Sequence, residues 1–346
     1  MLQSKLEKIA SFDANGVGQQ ELNIYGLPFT FEEADIILFP VPFEVTTSYG
    51  GGTIDGPEAI MEASYQVDLY DHDSPDTWKK GLYMPEINEQ WKQLSHKYKV
   101  EAQMLIHEQS MGKDVMDSPG LLRTLHDINE VCGQLHQWVY EQTLDLLKQG
   151  KKVGLVGGDH STPLGYIRAL GEVHGNFGIL QIDAHADLRD AYEGFEYSHA
   201  SIMYNALKLA HVEKLVQVGI RDICQDEVDV INDNKGRVAT FFDWDLKRRQ
   251  FQGENWDSIC RDVIHSLPQK VYISFDIDGL DPKLCPNTGT PVSGGFETEE
   301  VFYLFKLLKE SGREIIGFDL NEVSPGEDEW DANVGARVLF KMCGLV

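Results

Sequence analysis

Seven short runs of apolar and β-branched residues recur along the chain: 34–43 (ADIILFPVPF), 151–158 (KKVGLVGG), 178–183 (GILQID), 214–219 (KLVQVG), 237–242 (RVATFF), 270–278 (KVYISFDID) and 314–320 (EIIGFDL). None alternates cleanly between apolar and polar positions, so each reads as a strand covered on both faces. Amphipathic stretches of helical length separate most of them, at 122–149, 163–173, 198–210, 256–267 and 297–311. Buried strands alternating with helices predict an α/β fold in three layers, with a mainly parallel central sheet of roughly six to eight strands and helices on both faces. Without repeats or low-complexity tracts, residues 1–346 read as a single domain. The stretch from about 84 to 121 fits least well, being polar and without a strong strand. It reads as an insertion that covers an edge, forms an oligomer contact or borders a cleft.

Polar residues gather where the apolar runs stop. Asp159 and His160 follow the second run. Asp183, His185 and Asp187 follow the third at every second position, with alanines between them. Asp276, Asp278 and Asp281 end the sixth, and Asp319 and Glu322 end the seventh. In open parallel sheets, ligands bind outside the carboxyl ends of the strands, so these clusters are expected to share one end of the molecule. A lone Asp at a strand exit is commonly a helix cap or turn former. Acids and histidines recurring at several exits point instead to a metal site. Carboxylates and imidazoles without a thiolate suit manganese or a related hard divalent ion better than structural zinc. Six such ligands suit two ions sharing bridging carboxylates, an arrangement that generates a nucleophile from water near neutral pH.

Composition narrows the partners. Lys and Arg number 30 against 56 Asp and Glu, a net charge of −26. Phosphate-rich partners, nucleic acid and anionic membranes alike, would be repelled, whereas a cationic small molecule would be attracted. The five cysteines are scattered and form no CxxC pair, so neither a disulfide framework nor a thiolate zinc site is expected. The start, MLQSKLEKIASFDANG, has no apolar signal core, and no later stretch approaches the ~20 apolar residues of a membrane span. A cytoplasmic setting is the expectation.

Three of these clusters carry a resemblance. GGDHS at 157–161, DAHAD at 183–187 and SFDIDGLDP at 274–282 resemble, in order and spacing, the signature motifs of the ureohydrolase family of arginases, agmatinases and their relatives. SYGGGTIDGPEAIMEAS (48–64) is similar to that family's Gly-rich loop before its first helix, and DLNEVSP (319–325) to its late strand-end motif. The resemblance implies an arginase-like fold and two Mn2+ ions, with other divalent ions such as Ni2+ as alternatives. His160, Asp183, Asp187 and Asp276 would hold one ion; His185, Asp183, Asp276 and Asp278 would hold the other, with Asp183 and Asp276 bridging. It implies that a metal-bridging hydroxide attacks a guanidinium carbon and that the tetrahedral intermediate collapses to urea and an amine. His199, in EYSHASIM, matches the family's acid/base histidine, and Glu322 matches the acid that pairs with the substrate guanidinium. A forked acceptor suits that planar, doubly donating cation. With Asp187 these two form the implied catalytic set. A homotrimer or homohexamer is also implied.

The sequence departs from the family pattern at Pro286-Asn287, usually Pro-Gly, and at Thr53-Ile54-Asp55, where many members carry an Arg. The segment after DAHAD, LRDAYEGFEYSHAS, looks more like the agmatinase version than the Asn, Ser and Thr with which arginases receive an α-carboxylate and α-amine. Arg189, Asp190 and Glu193 are therefore expected, with Glu322, to contact substrate. The expected reaction is agmatine plus water to putrescine plus urea, a step of polyamine biosynthesis. Arginase, guanidinobutyrase, formimidoylglutamase and guanidine hydrolase activities stay open. A dinuclear metallophosphoesterase would require a Gly-His-x-His segment, and no His-x-His occurs. A non-catalytic ureohydrolase-like binding protein would have lost a ligand or an acid/base residue, yet all six ligands, His199 and Glu322 are present.

Overall fold

The computed structural model describes residues 4–47 and 50–346. Ser48 and Tyr49, which open the Gly-rich motif, and residues 1–3 of the chain start lie outside them. The seven apolar runs form strands β1 (Ile36–Val41), β3 (Lys152–Gly157), β4 (Phe177–Ile182), β5 (Val212–Ile220), β6 (Val238–Phe242), β7 (Lys270–Asp276) and β8 (Glu314–Asn321). An eighth, β2 (Leu82–Tyr83), pairs with two residues of β1 at the sheet's edge. All pairings are parallel, in the order β2-β1-β3-β8-β7-β4-β5-β6. The last two strands return to the middle of the sheet, so β3, β8, β7 and β4 become neighbours. Their carboxyl ends flank the point where the winding direction changes, the position at which open α/β sheets bind ligands.

Helices α1 (Lys5–Ser11), α2 (Gly56–Ser64), α3 (Glu89–Ser110), α4 (Pro119–Lys148), α5 (Leu164–His174), α6 (Ile202–Leu207), α7 (Gln225–Asp233), α8 (Asp243–Phe251), α9 (Trp256–His265), α10 (Thr298–Glu310) and α11 (Trp330–Cys343) complete the three layers. One core packs α3 to α6 against residues such as Ile37, Leu155, Ile179 and Tyr272. The other packs α2, α9, α10 and α11 against Leu38, Val156, Leu180 and Ile273. Successive strand residues thus alternate between two apolar cores, which is why the strands read as continuous apolar runs.

Residues 84–121 contain the 22-residue helix α3, capped by Asn88, whose side chain accepts from Gln90 N and Trp91 N. Its helical period is hard to see because only Trp91, Ser95, Ala102 and Leu105 are buried. Trp91 packs between Trp138 of α4 and Phe43, with ring centroids 5.6 and 6.1 Å apart. Helix α11 also escapes a periodicity search, for the opposite reason: eleven of its fourteen residues are buried, leaving little polar stripe. Even Lys341 is buried, paired with Asp71 and Asp73 at 2.9 and 2.6 Å. Among the described residues no helix is long and apolar enough to cross a membrane.

Helices α4 and α5 touch backbone to backbone at Gly165. A Cβ there would stand 2.2 Å from His136 O and 2.7 Å from Tyr140 N. Gly165→Ala is expected to force the helices apart and cost about 1–3 kcal/mol, the usual scale of overpacking. Denaturant titration should show a lower midpoint at unchanged slope. Unchanged stability would mean that this contact is loose.

Candidate active site

The four central strand ends bring the polar clusters together. Gly157 and Gly158 let the chain leave β3 tightly: a Cβ on Gly158 would meet Phe43 O at 2.2 Å. His160 follows, with Nδ1 3.1 Å from Asp183, 3.0 Å from Asp187 and 3.3 Å from Asp276. His185 Nδ1 lies 3.0 Å from Asp278 and 3.6 Å from Asp183. All four aspartates are buried. Asp183 therefore belongs to both groupings, and Asp276 sits beside Asp278, accepting from its N–H at 2.8 Å.

A polar shell that the sequence reading missed holds these groups in place. His160 Nε2 meets Ser274 Oγ at 2.9 Å, and Ser274 donates to Asp319 at 3.0 Å, so the ring presents Nδ1 to the carboxylates. Tyr272 and Asn321 also bond to Asp319. On the other side Gln181 donates to Asp183 at 2.8 Å, Gln217 to Gln181 at 2.7 Å, and Thr240 to Gln217 at 2.8 Å, a line running from β4 across β5 to β6. Partners of this kind fix the orientation of metal-ligating side chains. Their signal was a polar residue inside each apolar run: Gln181, Gln217 and Ser274 are all fully buried.

The charges reflect this crowding. Burial alone would depress the His160 imidazole, but Asp183, Asp187 and Asp276 raise it well above its ordinary value. Burial, then the charge of Asp183, pushes the Asp187 carboxyl up to about 7. Burial, with Asp278 and Asp183, raises Asp276 well above the usual range. Burial would raise Asp183 too, yet the adjoining His160 and His185 imidazoles outweigh it and hold that carboxyl low. Such a site calls for cations. The residues fit divalent ions: His160 Nδ1 faces three carboxylates yet has no hydrogen-bond partner among the described residues, and the donors are oxygens and imidazole nitrogens. His160, Asp183, Asp187 and Asp276 would hold one ion; His185, Asp183, Asp276 and Asp278 would hold a second.

Glu322 follows β8 in the left-handed backbone region, φ 64°, and Asp187 shares that region at φ 54°. Non-glycine residues there cost on the order of 1–3 kcal/mol and persist only where surroundings enforce them. Glu322 accepts from His160 N at 2.8 Å through Oε1, while its buried Oε2 has no partner among the described residues. Burial, together with Asp276 and Asp159, raises its carboxyl well above the usual range. His199 is half-buried, with its backbone N–H donating to Thr46 at 3.2 Å. Desolvation, then the nearby His185 and Lys99, lowers its imidazole to about 3.

The segment after Asp187 disperses its side chains. Arg189 lies 4.5 Å over the Tyr192 ring and 3.8 Å from Glu227. Asp190 lies against the Tyr204 hydroxyl. Glu193, φ 55°, keeps a buried Oε2 without a partner among the described residues. Asn287, at the departure from Pro-Gly, is bonded to Asp331 at the start of α11 through both N–H and amide, at 2.9 and 3.0 Å.

Comparison with known proteins identifies the chain's family and fold. The model of the arginase family matches residues 34–344. The N(1)-aminopropylagmatine ureohydrolase of Thermus thermophilus is 31% identical over 318 residues, 91% of each chain. The enzyme of that name from Synechocystis is 30% identical over 319 residues, covering 91% of this chain and 90% of its own. The crystal structure of the agmatine ureohydrolase of Thermoplasma volcanium shares the fold, with TM-score 0.69 at 23% identity over 97% of this chain and 95% of that one.

Removing a carboxylate shared by both groupings tests the two-ion reading. Asp276→Ala is expected to lose at least one of two tightly held equivalents, measured by elemental analysis after gel filtration. Two retained equivalents would show that Asp276 does not bridge.

Proposed function

The chain belongs to the arginase family, and from that membership we propose that it hydrolyses the guanidino group of an agmatine-type amine, releasing urea. The observation that carries the reading is the buried Oε2 of Glu322, unmatched among the described residues, beside the two-histidine, four-aspartate cluster. An acceptor left bare in the interior is costly, and a guanidinium N–H satisfies it.

Divalent ions bound by the six ligands, manganese first and nickel as the alternative, would lower the pKa of water enough to supply a nucleophile near neutral pH. The chain's own groups do the rest. Glu322 holds the guanidinium so that its carbon faces the cluster. Asp183 and His160 stay oriented by Gln181 and Ser274. His199, half-buried and neutral at rest, takes a proton from the attacking water and passes it to the departing amine. Water's oxygen ends on the guanidino carbon, the carbon–nitrogen bond to the amine breaks, and urea and the protonated amine leave.

For the far end of the substrate, relatives named for N(1)-aminopropylagmatine favour an amine-bearing tail. The charge distribution supports the same choice. Arg189, the one cation in 188–197, turns toward Glu227 and Tyr192, whereas Glu193 keeps an acceptor oxygen that no described residue meets. A tail carboxylate would be left without a donor at a cost of several kcal/mol, and an ammonium would be welcome. A difference of ~3 kcal/mol in the transition state is about a hundredfold or more in kcat/KM.

A urea-release panel after manganese loading, repeated with nickel, tests this proposal. It includes agmatine, N(1)-aminopropylagmatine, arginine, 4-guanidinobutyrate, N-formimidoylglutamate and guanidine. Agmatine or its aminopropyl derivative is expected to exceed arginine by about a hundredfold in kcat/KM; equal values would refute the assignment of the tail. His199→Asn should keep its full metal content while kcat falls by about 10²–10⁴-fold, the usual worth of a general acid or base. Loss of metal with activity would place His199 among the ligands.

A further inference from the structure

Helix α3, within the segment that reads as an insertion, reaches the turn after β1 through Ser95 and Lys99. Lys99 is 13% exposed and places its ammonium 2.9 Å from Glu44. It also bonds Thr47 O at 3.0 Å and the Thr47 hydroxyl. Glu44, four per cent exposed, is the more connected partner. Its carboxylate accepts from Gly52 N at 2.8 Å, Thr53 Oγ1 at 3.0 Å, Ile54 N at 3.3 Å and Thr47 Oγ1 at 3.1 Å. Ser95, one turn before Lys99, receives Glu44 N at 2.8 Å and returns its hydroxyl to Glu44 O at 3.0 Å.

Two walls of the proposed site hang on this knot. On one side Thr46, two residues from Glu44, accepts the backbone N–H of His199. On the other, the Gly-rich loop pinned by Glu44 packs against the residues around Glu322. Ser324 Oγ donates to Gly51 O at 3.1 Å, and Gly50 abuts Gly289, whose own Cβ position lies 3.0 Å from Glu322 Oε2. Glu44, Asp159 and Glu322 are all buried, and Lys99 supplies the ion-paired cation among them.

We propose that Lys99 and Glu44 form a buried positioning pair that sets His199 and Glu322 in mutual register, making α3 part of the active site. This rests on the reading of the chain as a ureohydrolase in which those two residues serve proton transfer and guanidinium binding. Neither member touches the metal cluster or the reacting atoms. Lys99 offsets the buried carboxylate, and the carboxylate fixes the loop through three donors. Removing the cation leaves an uncompensated buried charge, which is relieved by withdrawal of the loop from Glu322 or by protonation.

The test uses the full-length, metal-loaded protein and the best guanidino substrate of the wild type. Lys99→Met is expected to retain two metal equivalents while kcat, counted per folded and metal-loaded molecule, falls at least tenfold. Lys99→Arg keeps the charge and is expected to recover most of that loss. A role confined to stability would lower the melting temperature and leave kcat per folded molecule within twofold of wild type, and that result overturns the proposal. Should Lys99→Met not fold, Glu44→Gln decides. It keeps the shape and loses the anion, so a tenfold fall in kcat at full metal content supports the pair and an unchanged kcat sinks it. A wild type that releases urea from no guanidino compound refutes the assigned function instead, an outcome distinct from an active wild type with unaffected variants.

Discussion

Mutual repulsion among buried carboxylates is the constraint on which the rest of this structure depends. Asp183, Asp187, Asp276 and Asp278 share one water-poor space at the ends of two neighbouring strands, β4 and β7, and carboxylates so placed cannot all remain charged without cations between them. Two imidazoles take up part of the charge, and the donor set that remains is one that suits divalent ions. The parallel sheet makes such crowding possible. A parallel strand ends with its polar residue held by a ladder on either side, so acids from separate segments converge without a loop having to carry them.

Holding that convergence has conformational costs. Asp187 and Glu322 both sit at positive φ, which redirects each side chain away from the path an ordinary turn would give it. The surroundings enforce the strain: Asp187 O accepts from Met203 N and Tyr204 N at 3.1 Å, while Glu322 N bonds Gly158 O and Thr288 Oγ1 bonds Glu322 O, each at 2.8 Å. The same logic accounts for polar residues buried in apolar strands. Gln181, Gln217 and Ser274 would weaken a core whose only task was packing, but here each is bonded and each orients a residue of the His and Asp cluster or its neighbour.

The outer layers serve this centre as well as covering it. Helix α3 delivers Ser95 and Lys99 to the turn after β1, and α11 anchors the Asn287 turn through Asp331. Polar stretches far apart in sequence are thereby tied to loops that border the same cleft. The chain's acidity is consistent with a cationic substrate, yet most of the 56 acids lie elsewhere and act chiefly through solubility.

The seven apolar runs by themselves determined the seven main strands, because a strand covered on both faces must be apolar at nearly every position. The strand ends determined where the chemistry would lie, and the three motifs determined the family. Periodicity failed for β2, too short to show a pattern, for α11, buried almost all round, and for α3, whose buried positions are few and partly polar. Three matters were left to the tertiary structure: which lone pairs remain unmatched, where Arg189 turns, and that Lys99 joins Glu44 across 55 residues of sequence. Such properties depend on the company a side chain keeps after folding. A motif records which residues are available, but burial and distance decide which of them meet.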